Sequence, residues 1–275
     1  MMMPRSMVSL GNEIRKGLLI AWSERVQILF ELPFFALLIL LLGPLLGAGD
    51  QVAGGHVSWS LQSSRTSLLV LAFLPAMVFY FQAVKLFWRL LAEIQSGTLE
   101  QVYLSPLPPW LIVAAGRVVA ALIETLIVIA ATYGIVSAFV TLHYNWSAAA
   151  LVPAALLIVT GVGYSLIIGG MTLIWKRVHM LQEAFLLLVM VFAVSALPVF
   201  AVPGWFSGLG RVFPVTSAVA SLYKVLIDGD PVTGLWGAGG LVWLFVTAAA
   251  YLAAGIFAFS VGGRIAKGRG TLGSY

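Results

Sequence analysis

The amino-acid sequence predicts an all-α integral membrane protein with six transmembrane helices, and three observations carry that prediction. Hydrophobic residues make up 61% of the 275 residues and charged residues only 9%, where a soluble domain carries about 25% charged residues. Too few ionisable groups remain to coat a water-facing surface, and the mean hydropathy is +1.04. The apolar residues gather in six runs of the length that crosses hydrocarbon, about 20 residues per helix. The Lys and Arg side chains, 15 in all, collect on one side of those runs. Disorder and collagen-like repeats are excluded by the same composition. With no cysteine, so are disulfides, thiol nucleophiles, haem attachment and cysteine zinc sites.

The elements follow in chain order. Over residues 5–25, Met7, Leu10, Ile14, Leu18, Ala21 and Trp22 recur at helical spacing, with Asn12, Glu13, Arg15, Lys16, Ser23 and Glu24 between them. This is an amphipathic helix suited to the inner headgroup layer, as an anchor or with a mechanical role. The spans are placed at 26–48, 66–86, 110–142, 148–175, 184–202 and 235–261. The third run exceeds one perpendicular crossing, so its start through Arg117 is expected at or below the membrane surface.

Between the second and third spans, Ser96 or Thr98 is suited to cap a short helix, Glu100 to its positive end, and Ser105-Pro106 to its stop. Between the fifth and sixth, Pro203-Gly204 breaks a helix, Pro214 opens another and Gly229 ends it. Val215, Val219, Leu222, Val225 and Leu226 mark its apolar face, so the segment 203–229 is expected to dip into the membrane without crossing it.

Twelve basic residues, from Arg5 to Arg269, fall on one side, and Arg65, Arg211 and Lys224 on the other. The richer side is read as cytoplasmic, which puts both termini there in a multi-pass cell-membrane protein. The net charge of +5 is thereby a topology signal that also favours anionic lipid, and nucleic acid is not needed to explain it. Asn145-Trp146-Ser147 matches a glycosylation acceptor, read here as a chance match in a short turn.

Glu93, Gly97-Thr98-Leu99-Glu100-Gln101, Leu104-Ser105-Pro106-Leu107, Trp110 and Gly116-Arg117 together resemble the signature of ABC-2 type permeases, the membrane subunits of bacterial ABC exporters. Leu197-Pro198, Pro203-Gly204-Trp205-Phe206 and Phe213 to Ala218, ending Leu226-Ile227-Asp228-Gly229, resemble that family's outer segment. The resemblance implies two permease chains, identical or different, above two ATPase subunits that hold ATP and Mg. It implies a coupling helix within 93–105, seated in the ATPase through Glu93, Gly97, Thr98, Leu99, Glu100, Gln101 and Ser105. The N-terminal helix would rest on the same subunit, and Pro198, Pro203, Pro214 and Gly229 would belong to an outer gate. The first, second and fifth spans would line the path by which a drug, lipid or lipid-linked glycan leaves the cytoplasm. This chain would bind no cofactor itself.

The residues support one part of this independently. No Gly-x-x-x-x-Gly-Lys-Ser/Thr loop exists; Gly263 to Arg269 comes nearest, with Arg269 where Lys is needed. Energy must come from a partner or an ion gradient. Arg117 and Glu124 share a helix face two turns apart. Arg117 can snorkel to headgroups, whereas Glu124 lies deeper and needs a partner, a polar cavity or a proton. Structural pairing with Arg117 or with a neighbouring helix is preferred; the alternative is an ion-coupled secondary transporter using Glu124. An enzyme is disfavoured, because Ser165 has no basic partner among His56, His143 and His179, and Asp228 and Asp230 read as turn residues. No metal site is expected.

Overall fold

The computed structural model describes residues 5–48, 63–105, 107–175, 179–197, 203–236 and 240–270. Pro198 and His56 lie outside the described residues. Among the described residues every regular element is helical. The helices are α1 (Arg5–Ser23), α2 (Arg25–Ala48), α3 (Ser63–Gln95), α4 (Leu99–Tyr103), α5 (Pro109–Val113), α6 (Val119–Phe139), α7 (Leu151–Ile174), α8 (His179–Ser195), α9 (Gly204–Gly210), α10 (Pro214–Tyr223) and α11 (Leu241–Gly268).

Four helical stretches are long and apolar enough to cross a membrane: Thr66–Gln95, Pro109–Phe139, Ala148–Ile174 and Leu241–Gly268. The protein is a multi-pass membrane protein. α1 and α2 pass the same test only together, bent by 69°, which would make five. The apolar part of α8, Gln182–Ser195, is shorter than a crossing.

Several boundaries differ from the sequence reading, for physical reasons. The second apolar run ends at Leu86, but α3 continues through Glu93 to Gln95. Lys85, Arg89 and Glu93 recur every fourth residue on one face of it, and other helices neutralise each of them. The last span begins at Leu241 and runs to Gly268, while Val232–Trp236 forms a separate 3-10 turn. The helix in the link between α3 and α5 is short, Leu99–Tyr103, and Glu93 belongs to α3. Thr98 takes the cap position without a side-chain cap bond, since its hydroxyl is 2.9 Å from that of Ser96.

α7 and α11 run parallel and pack backbone to backbone. Gly163 and Gly170 of α7 face Gly255 and Gly262 of α11, and a Cβ on any of them would strike main-chain atoms opposite. The seven-residue spacing in both helices keeps the small residues on one seam. α3 lies on the other side of α7, where Gln82 packs against Gly161 and Leu90 against Gly169.

At the opposite end from α1 and α4, the segment after α6 runs extended from Val140 and meets the turn that follows α10, with the Asn145 amide donating to the Leu226 carbonyl at 2.7 Å. α9 and α10 form the 203–229 segment, and Val215, Val219, Leu222, Val225 and Leu226 are all buried. Phe192 of α8 stacks on Phe206 and Phe213. The Trp243 indole and the Tyr251 hydroxyl of α11 donate to the carbonyls of Arg211 and Val212. The pair is thus tied on both sides. A π-helical turn, Lys224–Asp228, continues α10, and Gly229 ends it in the left-handed conformation, φ 77°, where glycine carries no Cβ penalty.

Candidate functional site

Charged residues that hydropathy places at or beyond the membrane edge meet Glu124, which it places within a span, inside the bundle. Ala114–Val118 is a π-helical turn between α5 and α6, a local widening that re-aims a side chain. There α1 crosses so closely that a Cβ on Gly17 would strike the Gly116 carbonyl. The contact sets α1 over Arg117. One terminal nitrogen of Arg117 donates to both oxygens of Glu93, at 2.7 and 2.8 Å, and the other to Glu13 of α1 at 2.8 Å. Lys16, one turn after Glu13, reaches Glu93 at 3.2 Å.

A second group lies deeper. Arg89 donates to Glu24 at 2.9 Å and to the carboxylate of Glu124, and its other terminal nitrogen reaches the Arg117 carbonyl at 3.4 Å. Lys85 bonds Glu24 at 3.2 Å and stands 3.9 Å from Glu31 and 3.7 Å from Glu124. Lys85, Arg89, Arg117 and Glu124 are all buried, Glu124 being only 2% exposed. Charges so removed from water are tolerated only when paired and hydrogen-bonded. This clasp of Glu13, Lys16, Glu24, Glu31, Lys85, Arg89, Glu93, Arg117 and Glu124 joins α1, α2, α3 and α6.

The pairings sharpen the sequence reading. Glu124 takes partners from a neighbouring helix, Arg89 and Lys85, and Arg117 bonds Glu93 and Glu13. Glu13, Glu24 and Glu93, which sequence reasoning placed in segments facing a partner, are held by cations of this chain. Lys85 and Arg89 were read only as markers of the basic side. Their spacing with Glu93, four residues apart twice, is the signal that could have found them, because it sets two cations and a carboxylate on one helix face.

α4 sits beside the clasp. α3 ends where Gly97 turns left-handed, φ 69°. Leu99 and Val102 are buried among Leu90, Ile94, Val113 and Phe259. Glu100 and Gln101 point outward, and Leu104 is 84% exposed. Tyr103 packs against Gly263 of α11, where a Cβ would meet its ring. Burial pushes its hydroxyl up to about 12, so it stays neutral at physiological pH.

Ser165 is buried and donates to the Gly161 carbonyl at 2.8 Å, the usual back-bond of a helical serine. Among the described residues no group of His, Asp and Glu could hold a metal ion. No known protein-family model matches this chain, and no curated protein matches it.

Proposed function

We propose that the chain is the permease subunit of an ATP-driven ABC-2 type exporter, in which two such chains and two ATPase subunits move an amphipathic or hydrophobic molecule outward. The reading takes α2 and α8 with the residues after it as further crossings, six in all, with both termini cytoplasmic and α9–α10 as an outer re-entrant pair. One observation carries it. α4 is seated at the basic end of the bundle through Leu99 and Val102, while Glu100, Gln101 and Leu104 stand clear of this chain. A short helix so held has a buried face that transmits force and a free face for a partner. The clasp supports the same reading, since a push on α4 reaches α3 directly and α1 and α6 through Glu93 and Arg117.

The test is purification of the chain with its ATPase from native membranes and measurement of subunit ratio and ATP-driven export. Glu100→Lys is expected to weaken ATPase association roughly tenfold or more, as like charges brought together at an interface cost several kcal/mol. Gly97→Pro, which cannot adopt the left-handed turn, is expected to uncouple ATP hydrolysis from export. Unchanged association and export in both variants would overturn the assignment.

An ion-coupled carrier using Glu124 is the weaker reading, because that carboxylate is already engaged by Arg89 and Lys85. Glu124→Gln keeps an acceptor for Arg89 but loses the charge. Its expected result is a lower melting temperature with export per folded molecule largely retained. Loss of export at unchanged stability would favour the carrier.

A further inference from the structure

We infer that the end of the bundle opposite α4 holds a phospholipid of the adjacent leaflet, one acyl chain in an apolar slot and its head in a polar chamber that shares the slot's wall. The slot, about 200 Å³, opens between α3, α6, α7 and α10. Pro75 interrupts the α3 ladder there, and Leu126, Tyr133, Ala154, Ile158 and Leu222 complete much of the wall. The chamber, about 460 Å³, is lined by Ser67, His143, Tyr144, Asn145 and Tyr223 among others. Tyr144 and Leu226 line both spaces.

The partition between them is fixed. The Tyr144 hydroxyl donates to the Ser67 carbonyl at 2.6 Å, and the Ser67 hydroxyl accepts the His143 amide at 3.1 Å. Asn145 is held at the far edge by bonds to Leu226 and Ile227. Tyr133, Tyr144 and Trp146 pack edge to face or tilted beside the slot, and Trp146 is 71% exposed. Such amphipathic rings sit at headgroup depth. The boundary between apolar slot and polar chamber therefore coincides with the boundary between acyl chains and headgroups.

The occupant follows from that match. Leu126, 46% exposed at the slot, is bathed by the bilayer, whose chains are the surrounding solvent. A wholly apolar molecule would leave the chamber unused, and a soluble polar one would leave the slot unfilled. A phospholipid fills both without leaving its leaflet. His143 and Asn145 are the side chains placed to bond its head.

The test uses the intact chain in nanodiscs without any ATPase, so its outcome does not depend on the export reading. Phosphatidylcholine carrying a diazirine on one acyl chain is irradiated and its adducts are mapped by mass spectrometry. Adducts on residues 126–133 and 154–158 are expected to exceed those on the exposed α2 residues Leu29 and Phe30 by about tenfold, a preference of about 1.4 kcal/mol for the slot over ordinary bilayer contact. Ala154→Phe, which fills the slot, is expected to abolish that excess, and His143→Ala to lower it. An even spread of adducts in the unaltered chain would overturn the proposal. So would an excess that persists in a folded Ala154→Phe variant, or one that a free diazirine fatty acid reproduces and phosphatidylcholine does not.

Discussion

Replacing Arg117 with alanine is expected to cost about 3–5 kcal/mol, the range seen when one partner of a buried ion pair is removed. The size follows from what is left behind. Glu93 and Glu13 lose the guanidinium that holds both, and only Lys16, itself half-exposed, remains near Glu93. Two carboxylates then face each other across α1 and α3. The measurement is thermal stability in detergent by fluorescence-detected size exclusion, with a large fall in melting temperature expected. Arg117→Lys is expected to recover only part of it, because one ammonium cannot take the place of two separate nitrogens on Glu93 and Glu13. The double variant Arg117→Ala with Glu93→Ala is expected to lose less than the two single losses added together, since the partners interact. A single variant as stable as the unaltered chain would remove the clasp from any account of the fold.

Gly255→Val is expected to be comparably damaging by another route. Inserting atoms into a filled core costs typically about 1–3 kcal/mol, and here the obstacle is the Gly163 main chain, which cannot rotate aside. α7 and α11 would have to separate along their length. Gly163→Val should behave alike, because its Cβ would strike the Tyr251–Leu252 peptide. Gly134 of α6 is the control, since a Cβ there meets nothing within 4 Å. Gly134→Ala is expected to be neutral or to stabilise by roughly 0.5–1 kcal/mol, the helix penalty of glycine. The same melting assay separates the two classes, and equal effects at Gly134 and Gly255 would contradict the seam.

The long apolar helices were legible in the sequence because crossing hydrocarbon demands an unbroken run, and α7 coincides with its run almost to the residue. The buried face of α10 was legible too, from five apolar residues at helical spacing between a proline and a glycine. The clasp was not. The second run ends at Leu86, just past Lys85 and short of Arg89, because charges in lipid are costly, and nothing local says that Glu24 is 61 residues from Lys85 in the chain and within reach in space. Arg117 and Glu13 are separated by 104 residues. Pairing at such range is a product of the fold, so α3 was read about nine residues too short. The glycine seam lay in plain view at a spacing of seven, but only the α7–α11 pairing shows which helix answers which. The sequence places the fifth span at 184–202, whereas among the described residues the apolar stretch of α8, Gln182–Ser195, is shorter than a bilayer crossing.

The π turn at Ala114–Val118 sits between two helices that need different orientations. It carries one residue more than an α turn, and one residue of α-helix is about 100° of rotation. The faces of α5 and α6 are therefore out of phase with each other, although the axis is continuous. α5 meets α4 and α11, while α6 meets α1, α2 and α3. Deleting one residue from this turn would bring the two halves into a single phase, and only one set of neighbours could then be satisfied.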